Sequence, residues 1–347
     1  MTQKLKIRPL NQQDMSAWDD YVDHHPDGSF FHLMGWYHVI SAVFNHKPHY
    51  MVAECHGKIV GVLPLFEQKS RMFGHALIST PFCVYGGAIA DTLELKNQLE
   101  HAALELGQSL NVDYVELRDK TPTEDKSPWV THCRHSTFSS TLAETPEEIL
   151  TNVKRKQRAV IRHSLTNHLS WDSSDNPSVC YDIYAQSVHN LGTPVFNKKL
   201  FDALKQAFGE RCETLIIRDE NGEPVSAVLS FYYKETVLPY YGGGTHAARD
   251  LKSNDFMYYQ LMCLAKERGM KVFDFGRSKV DSGAYHYKKH WGMDEEKLHY
   301  RIALVKAKEL PNLSPNNPKY RLFIDLWKKM PLGLSRQIGP QISKFLG

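Results

Sequence analysis

No stretch of this chain approaches the roughly 20 consecutive apolar residues that a bilayer-spanning helix needs. The opening residues, Met1–Lys6, lack the apolar core of a secretory signal, so the expected location is the cytoplasm, with the inner face of the membrane as the outer limit. Excess charge of one sign is also scarce. Lys and Arg number 42 against 39 Asp and Glu, a net +3, which does not by itself indicate a nucleic-acid binder but allows anionic ligands where cations cluster. There are six cysteines (Cys55, Cys83, Cys133, Cys180, Cys212, Cys263) and no C-x-x-C pair, so neither a zinc ribbon nor a dithiol redox motif is supported. The 18 histidines are scattered and form no H-E-x-x-H, so no metal is expected.

What the chain does have is an internal repeat. Gly57–Leu65 (GKIVGVLPL) is echoed by Gly222–Ser230 (GEPVSAVLS), Tyr85-Gly86-Gly87 by Tyr241-Gly242-Gly243, and Asp113–Arg118 by Lys271–Gly276. The offsets are 165, 156 and 158 residues. That period is too long for a solenoid unit and fits two copies of one small domain. The 347 residues also suit two domains. Each copy reads as strand, turn, strand, strand, helix, strand, which indicates α/β architecture.

In the first copy the expected strands are Tyr50–Ala53, Ile59–Phe66, Ala76–Ser79, Phe82–Tyr85 and Tyr114–Leu117. Gly61 and Pro64 within the second of these suggest a bulge or an edge. Leu95–Leu110 has helical periodicity. In the second copy the strands are Thr214–Arg218, Pro224–Tyr233, Val237–Tyr241 and Val272–Phe275, with Tyr300–Val305 closing the pattern. Asp255–Arg268 is the helix, capped by Gly269. Pro146–Asn167 reads as one helix opening the second copy, Thr121–Pro128 as a loop and Asn312–Pro318 as a spacer. The expected domains are 1–145, 146–310 and a helical tail, 311–347. The tail mixes apolar and basic residues, which fits either a docked helix pair or a helix lying on a membrane surface.

Four constellations can carry chemistry. Lys154, Arg155, Lys156 and Arg158 are four cations in five residues. On one helix Lys154, Arg158 and Arg162 share a face that can grip phosphates, the alternative being a solvated surface. Tyr285–Gly292 (YHYKKHWG) interleaves aromatics and cations beyond a strand end, where α/β proteins often hold ligands; a structural loop with surface lysines is the plainer reading. Asp274 stands between two aromatics and needs a partner, for which Arg277 is at hand, or else has a catalytic role. Finally, Tyr241 opens the glycine run Gly242–Gly244, whose backbone can approach a ligand closely or simply end a strand. The letters of a CoA-pyrophosphate loop, R/Q-x-x-G-x-G/A, occur at Arg71–Ala76, but between two strands instead of before a helix. The corresponding stretch of the second copy, Ala247–Asn254, has no glycine.

The run Ser253–Gln260 (SNDFMYYQ), with Ala265–Gly269 (AKERG) and Phe273–Gly276 (FDFG), resembles the signature of FemAB-type transferases. Pro26–His32, Ser79–Gly87 and Asn190–Phe196 look like the FemAB-related branch associated with exosortase/PEP-CTERM systems of exopolysaccharide-making Gram-negative bacteria. The resemblance implies two tandem GNAT-like (acyl-CoA N-acyltransferase) domains with mixed sheets flanked by helices. It implies transfer of an aminoacyl or acyl group from aminoacyl-tRNA or acyl-CoA to an amine of a cell-envelope or polysaccharide precursor, with no resident cofactor. A Phe-Lys pair of that family lies at the reacting ester, and Tyr287-Lys288 matches it here. Lys288 thus becomes the catalytic candidate that stabilises the oxyanion, with Asp274 as the candidate base. Lys154, Arg155, Arg158, Tyr241, Arg277, Tyr287 and Lys289 become the substrate-binding candidates. The coiled-coil arm of some family members is absent. A CoA-dependent N-acyltransferase and a non-catalytic binding scaffold remain as alternatives.

Overall fold

The computed structural model describes residues 5–122, 127–309 and 318–347. Residues 123–126 of the expected loop and 312–317 of the expected spacer lie outside them. The chain forms two compact units. The first comprises residues 1–133, 298–313 and 345–347, and the second 134–297 and 314–344. The chain therefore passes to unit 2 after 133, where the expected boundary was 145, and returns to unit 1 after 297, short of the expected 310.

Unit 1 begins with β1 (Lys6–Pro9), α1 (Met15–His24), α2 (Met34–Phe44) and β2 (Lys47–Pro48). It continues through β3 (Met51–Cys55), β4 (Lys58–Leu63), β5 (Phe66–Ser70), β6 (Gly74–Ile78), β7 (Ile89–Ala90), α3 (Leu93–Ser109), β8 (Tyr114–Asp119) and β9 (Trp129–His132). One sheet has the order β1-β3-β4-β7. The other runs β2-β5-β6-β8, then the strand His299–Leu304, then β9. β6 and β8 are parallel, joined across α3. The strand near Tyr300 was expected to close the second copy. It instead pairs antiparallel with β8 and β9, lying between them in a unit 1 sheet.

The expected strand over 59–66 is two strands, because Pro64 cannot donate to a ladder. The register slips beside Gly61, opposite Ala53/Glu54, where the bulge was expected. Phe82–Tyr85 is not a strand. Thr80, Phe82 and Gly86 all have positive φ, and Gly86 N and Gly87 N both donate to the Arg118 carbonyl. A Cβ on Gly86 would lie 2.4 Å from Thr80 Oγ1, so this turn requires glycine.

Unit 2 begins with β10 (His135–Thr141), α4 (Pro146–Asn152), α5 (Arg155–Ser164), β11 (Ser170–Ser174), α6 (Ser178–Asn190) and α7 (Lys199–Phe208). β12 (Cys212–Arg218), β13 (Pro224–Tyr233), β14 (Thr236–Gly244), α8 (Ala248–Leu251), α9 (Ser253–Glu267) and β15 (Val272–Asp274) follow. β16 (Ser278–Lys279), α10 (Gly283–His290), β17 (Asp294–Lys297), α11 (Pro318–Lys329) and α12 (Leu332–Ser343) complete it. The sheet order is β11-β12-β13-β14-β15-β10-β16, with β17 also on β10. Only β14 and β15 are parallel, and they pair at just two positions, Thr236–Val272 and Val237–Phe273. β15 ends one residue later, at Asp274, while β14 runs on to Gly244. β14 also carries a bulge at Tyr240, opposite Leu229/Ser230.

The two faces of this sheet bury different sets of residues. Leu215, Ile217, Val228 and Phe273 meet Ile149, Ile161, Phe256, Met257 and Trp291 from the helices on one side. Tyr241 and Phe231 meet rings from α6 and α7 on the other. α9 stops where foreseen, with Gly269 at φ +79° and the Met270 N–H returned to the Ala265 carbonyl.

Candidate active site

Three elements of unit 2 converge beyond the end of β15. The expected helix over 146–167 is broken at Val153-Lys154, whose extended ψ values separate α4 from α5. Lys154 is consequently an N-cap residue and not a member of a helical face. Its Nζ donates to the Lys289 carbonyl (2.8 Å), tying the start of α5 to α10. Tyr285–Gly292, read from sequence as a loop, is mostly helix. The Ser282 hydroxyl accepts from Tyr285 N–H and starts α10, a signal the sequence reading passed over.

On α10, Lys288 turns back to β15. Its Nζ donates to the carbonyls of Phe275 (2.6 Å), Gly276 (3.0 Å) and Arg277 (3.2 Å) and lies 5.8 Å from the centre of the Phe275 ring. Burial pushes its pKa down to about 8. Nearby Asp274 opposes that shift and Arg277 adds to it. Asp274 Oδ1 accepts from Thr137 Oγ1 (2.8 Å) and from Gly276 N–H (2.8 Å), which fixes the carboxylate beside the lysine. The sequence candidates Lys288, Asp274 and Arg277 do lie together at one strand end. The sequence did not show that the lysine protons are spent on loop carbonyls.

The neighbouring Tyr287 donates to Asp255 Oδ1 (2.9 Å), and Gln157 Nε2 donates to the same oxygen (2.5 Å). Burial raises the pKa of Asp255, against these two hydrogen bonds, and burial holds Tyr287 well above the ordinary tyrosine range. Asp255 joins α5, α9 and α10 and was not among the sequence candidates. Its signal was weak: one acid in the first turn of a helix is ordinarily a dipole partner in solvent.

The other candidates sort differently. Arg155 is exposed at the first turn of α5, and Arg158 donates from Nη2 to the Val153 carbonyl (3.3 Å). Lys289 reaches outward to Glu295 (3.7 Å), an exposed pair of little energetic weight. Tyr241 does not join this group. The bulge at Tyr240 and the alternation of β14 turn its ring toward Tyr184 and Phe201, on the α6–α7 face.

Unit 1 has its own charged interior. Arg301 donates through Nη1 and Nη2 to Glu100 (2.9 and 2.5 Å) and through Nε to Asp119 (2.8 Å), while Lys96 stands 3.2 Å from the other Asp119 oxygen. Asp119 is only 2% exposed. Cavities of about 320 and 520 Å³ adjoin this network, one lined by His32, Lys96 and Asp119 and the other by Glu100, Trp129 and Arg301. His32 is buried, accepts from Ser29 at Nδ1 and faces the Gly87 carbonyl with Nε2 (2.9 Å). Burial lowers its pKa to about 4. Sequence reasoning missed all of these residues, since Glu100 and Arg301 stand 201 positions apart. All six cysteines are free. Among the described residues no cluster of His, Cys, Asp or Glu suits a metal ion.

With this geometry in view, the comparisons define the class. Residues 148–289 match the family profile described as an acetyltransferase (GNAT) domain. The chain folds as an α/β protein of tandem GNAT-like architecture, with mixed sheets flanked by helices. Among solved structures it is similar to FemX, with TM-score 0.68 and 15% identity over 92% of this chain and all of that one. A tandem GNAT protein from the clavulanic acid biosynthesis pathway gives TM-score 0.56 and 12% identity, over 88% and 100% of the two chains. L-PGS from Bacillus licheniformis gives 0.56 and 12%, over 96% and 98%. No curated protein matches the chain.

Proposed function

We propose that the protein is a FemAB-like N-acyltransferase whose chemistry is carried out in unit 2. The observation that carries this reading is the fork between β14 and β15. The strands are hydrogen-bonded at two residue pairs, β15 then ends at Asp274 while β14 runs on to Gly244, and Lys288 lies beside Asp274 on the carbonyls just past that end. A fork of this kind gives an extended donor exposed backbone to pair with and a charged group at its mouth.

In the proposed step an acceptor amine attacks the donor carbonyl. The C–N bond forms to give a tetrahedral oxyanion, whose collapse breaks the ester C–O bond, and the proton given up by the amine passes to the leaving donor hydroxyl. Lys288 meets the oxyanion by giving up its longest hydrogen bond, the 3.2 Å contact with the Arg277 carbonyl. Asp274 or a water takes the amine proton. Neither a serine nor a cysteine nucleophile is needed.

Aminoacyl-tRNA is favoured over acyl-CoA as donor, and one structural feature supports this. A pyrophosphate loop of the CoA type would open α9 with glycines and free N–H groups. Here α8 fills that stretch and leads through Lys252, in a left-handed conformation, straight into α9. The cations Lys154, Arg155, Arg158, Arg277 and Lys289 suit a polyanionic donor. The resemblance to the PEP-CTERM-associated branch suggests an envelope or exopolysaccharide-related precursor as acceptor.

A transfer assay tests the reading. Purified protein is mixed with charged tRNA carrying labelled amino acid and with a fraction of small amine-bearing envelope precursors. Label should pass to an amine, and Lys288→Arg should retain more activity than Lys288→Met. Equal transfer by wild type and Lys288→Met would remove the lysine from the mechanism. Transfer from acyl-CoA alone would replace the donor.

A further inference from the structure

The helix pair α11–α12 docks on unit 2 the wrong way round for an ordinary amphipathic hairpin. In α12 the buried residues are Ser335, Gly339 and Ser343, four apart and therefore on one face. That face is made for close contact. A Cβ on Gly339 would lie 2.8 Å from Val195 N and O, and Ser343 Oγ donates to the Val195 carbonyl (3.2 Å). Arg336 pins the helix to α6, with Nη1 3.1 Å from Asp182 Oδ1 and the guanidinium over the Tyr181 ring. Among the described side chains of α11 the buried one is Trp327.

The large apolar residues lie off that face and are exposed. Leu326 is 59% exposed, Leu334 43%, Ile338 39% and Phe323 37%. Leu191, at the end of α6, joins them at 69%, and the adjacent Gly192 packs on Ile324 of α11. A surface helix ordinarily buries such a stripe and exposes its small polar residues. Here a small-residue face suffices for docking, and the apolar side chains are left for something else.

The charge says what that is. Residues 323–344 contain Lys328, Lys329, Arg336 and Lys344 against the single acid Asp325. Their net +3 equals that of the whole chain, so everything else balances to zero. Apolar side chains and lysines together on the outside of a docked helix pair are the recognition chemistry of an anionic lipid surface, where the lysines meet head groups and the apolar side chains enter the acyl boundary. No helix among the described residues is long and apolar enough to cross a membrane. We propose that α11–α12 is a peripheral anchor that holds the protein on an anionic bilayer through Phe323, Leu326, Leu334, Ile338, Lys328 and Lys329. This goes beyond the acyl-transfer reading and does not depend on it.

The test is co-sedimentation of the full chain with vesicles of phosphatidylcholine alone or with about one third phosphatidylglycerol, at low and high salt. Wild type should pellet with the anionic vesicles only, and less so at high salt. The double variant Leu334→Glu/Ile338→Glu should bind at least about tenfold more weakly, with unchanged circular dichroism, because both side chains are exposed. Lys328→Glu/Lys329→Glu should do the same through charge. Wild type remaining in the supernatant with anionic vesicles at low salt would overturn the proposal. So would a dimer in sedimentation velocity that Leu334→Glu/Ile338→Glu dissolves, because the apolar face would then belong to a second copy.

Discussion

Replacing Lys288 by Met tests what the lysine does in the resting protein. Methionine keeps an unbranched stem and loses every donor. Three carbonyls then lose their partner, and those of Phe275 and Gly276 belong to buried residues. A buried carbonyl left unsatisfied costs about 1–3 kcal/mol. Against this, the variant escapes the burial of an ammonium group, which lowers the pKa from 10.5 to about 8 and so amounts to ~3 kcal/mol. The net expectation is a loss of about 2 kcal/mol near neutral pH. The pH dependence is sharper. Between pH 8 and 10.5 the unfolded chain keeps the Lys288 proton and the folded chain gives it up, so wild-type stability rises with pH through that window. The Met variant lacks this rise, so the gap between the two proteins should widen. Urea unfolding at stepped pH reads both quantities. A Met variant as stable as wild type at pH 7 would refute the claim that Lys288 holds the loop after β15, and a gap that does not widen by pH 10 would refute the lowered pKa.

Three further outcomes follow from the same reasoning. Asp255→Asn keeps an oxygen for Gln157 and Tyr287 and removes a charge that burial disfavours. It should be at least as stable as wild type at pH 7, while Asp255→Ala should lose about 2–3 kcal/mol by urea unfolding. The raised carboxyl pKa means that wild type regains this cost on acidification, so the advantage of Asn should shrink as pH falls toward 4. His32 is buried neutral with a pKa of about 4 against 6.5 unfolded. Stability should fall by up to ~3 kcal/mol between pH 6.5 and 4, and a His32→Gln variant should lack that slope. Arg301→Leu leaves Glu100 buried without its cation and Asp119 with Lys96 alone, and should cost about 3–5 kcal/mol, whereas Arg301→Lys should recover part of it by thermal unfolding.

The parts of the fold legible in the sequence were those with local causes. Gly57 and Gly222 stood at the hairpin turns, Gly269 marked the end of α9, and periodicity gave α3. What escaped was set by partners distant in the chain. The strand His299–Leu304 looked like the end of the second copy, yet pairs with β8 and β9, and no local pattern records which sheet a strand will join. The site divided along the same line. Asp274 and Arg277 were paired as candidates because they stand three positions apart, and Lys288 was singled out by the Tyr287-Lys288 match. Asp255 and Gln157 were not singled out, since their bond spans 98 positions. Tyr241 misled because its glycine neighbours suggested a ligand, while strand alternation had already assigned its ring to the α6–α7 core.

The central claim is that unit 2 takes an aminoacyl-tRNA into the fork between β14 and β15, and a binding titration of purified protein tests it most directly. Labelled charged tRNA and labelled acetyl-CoA are each titrated against wild type and against a variant with Lys154, Arg155 and Arg158 reversed to Glu. The account predicts saturable binding of charged tRNA, weakened at least about tenfold in the variant and steeply salt-dependent, and no saturable binding of acetyl-CoA. Saturable binding of acetyl-CoA with none of tRNA would contradict it and make the protein a CoA-dependent acyltransferase. Binding of neither would leave the fork without the donor proposed for it.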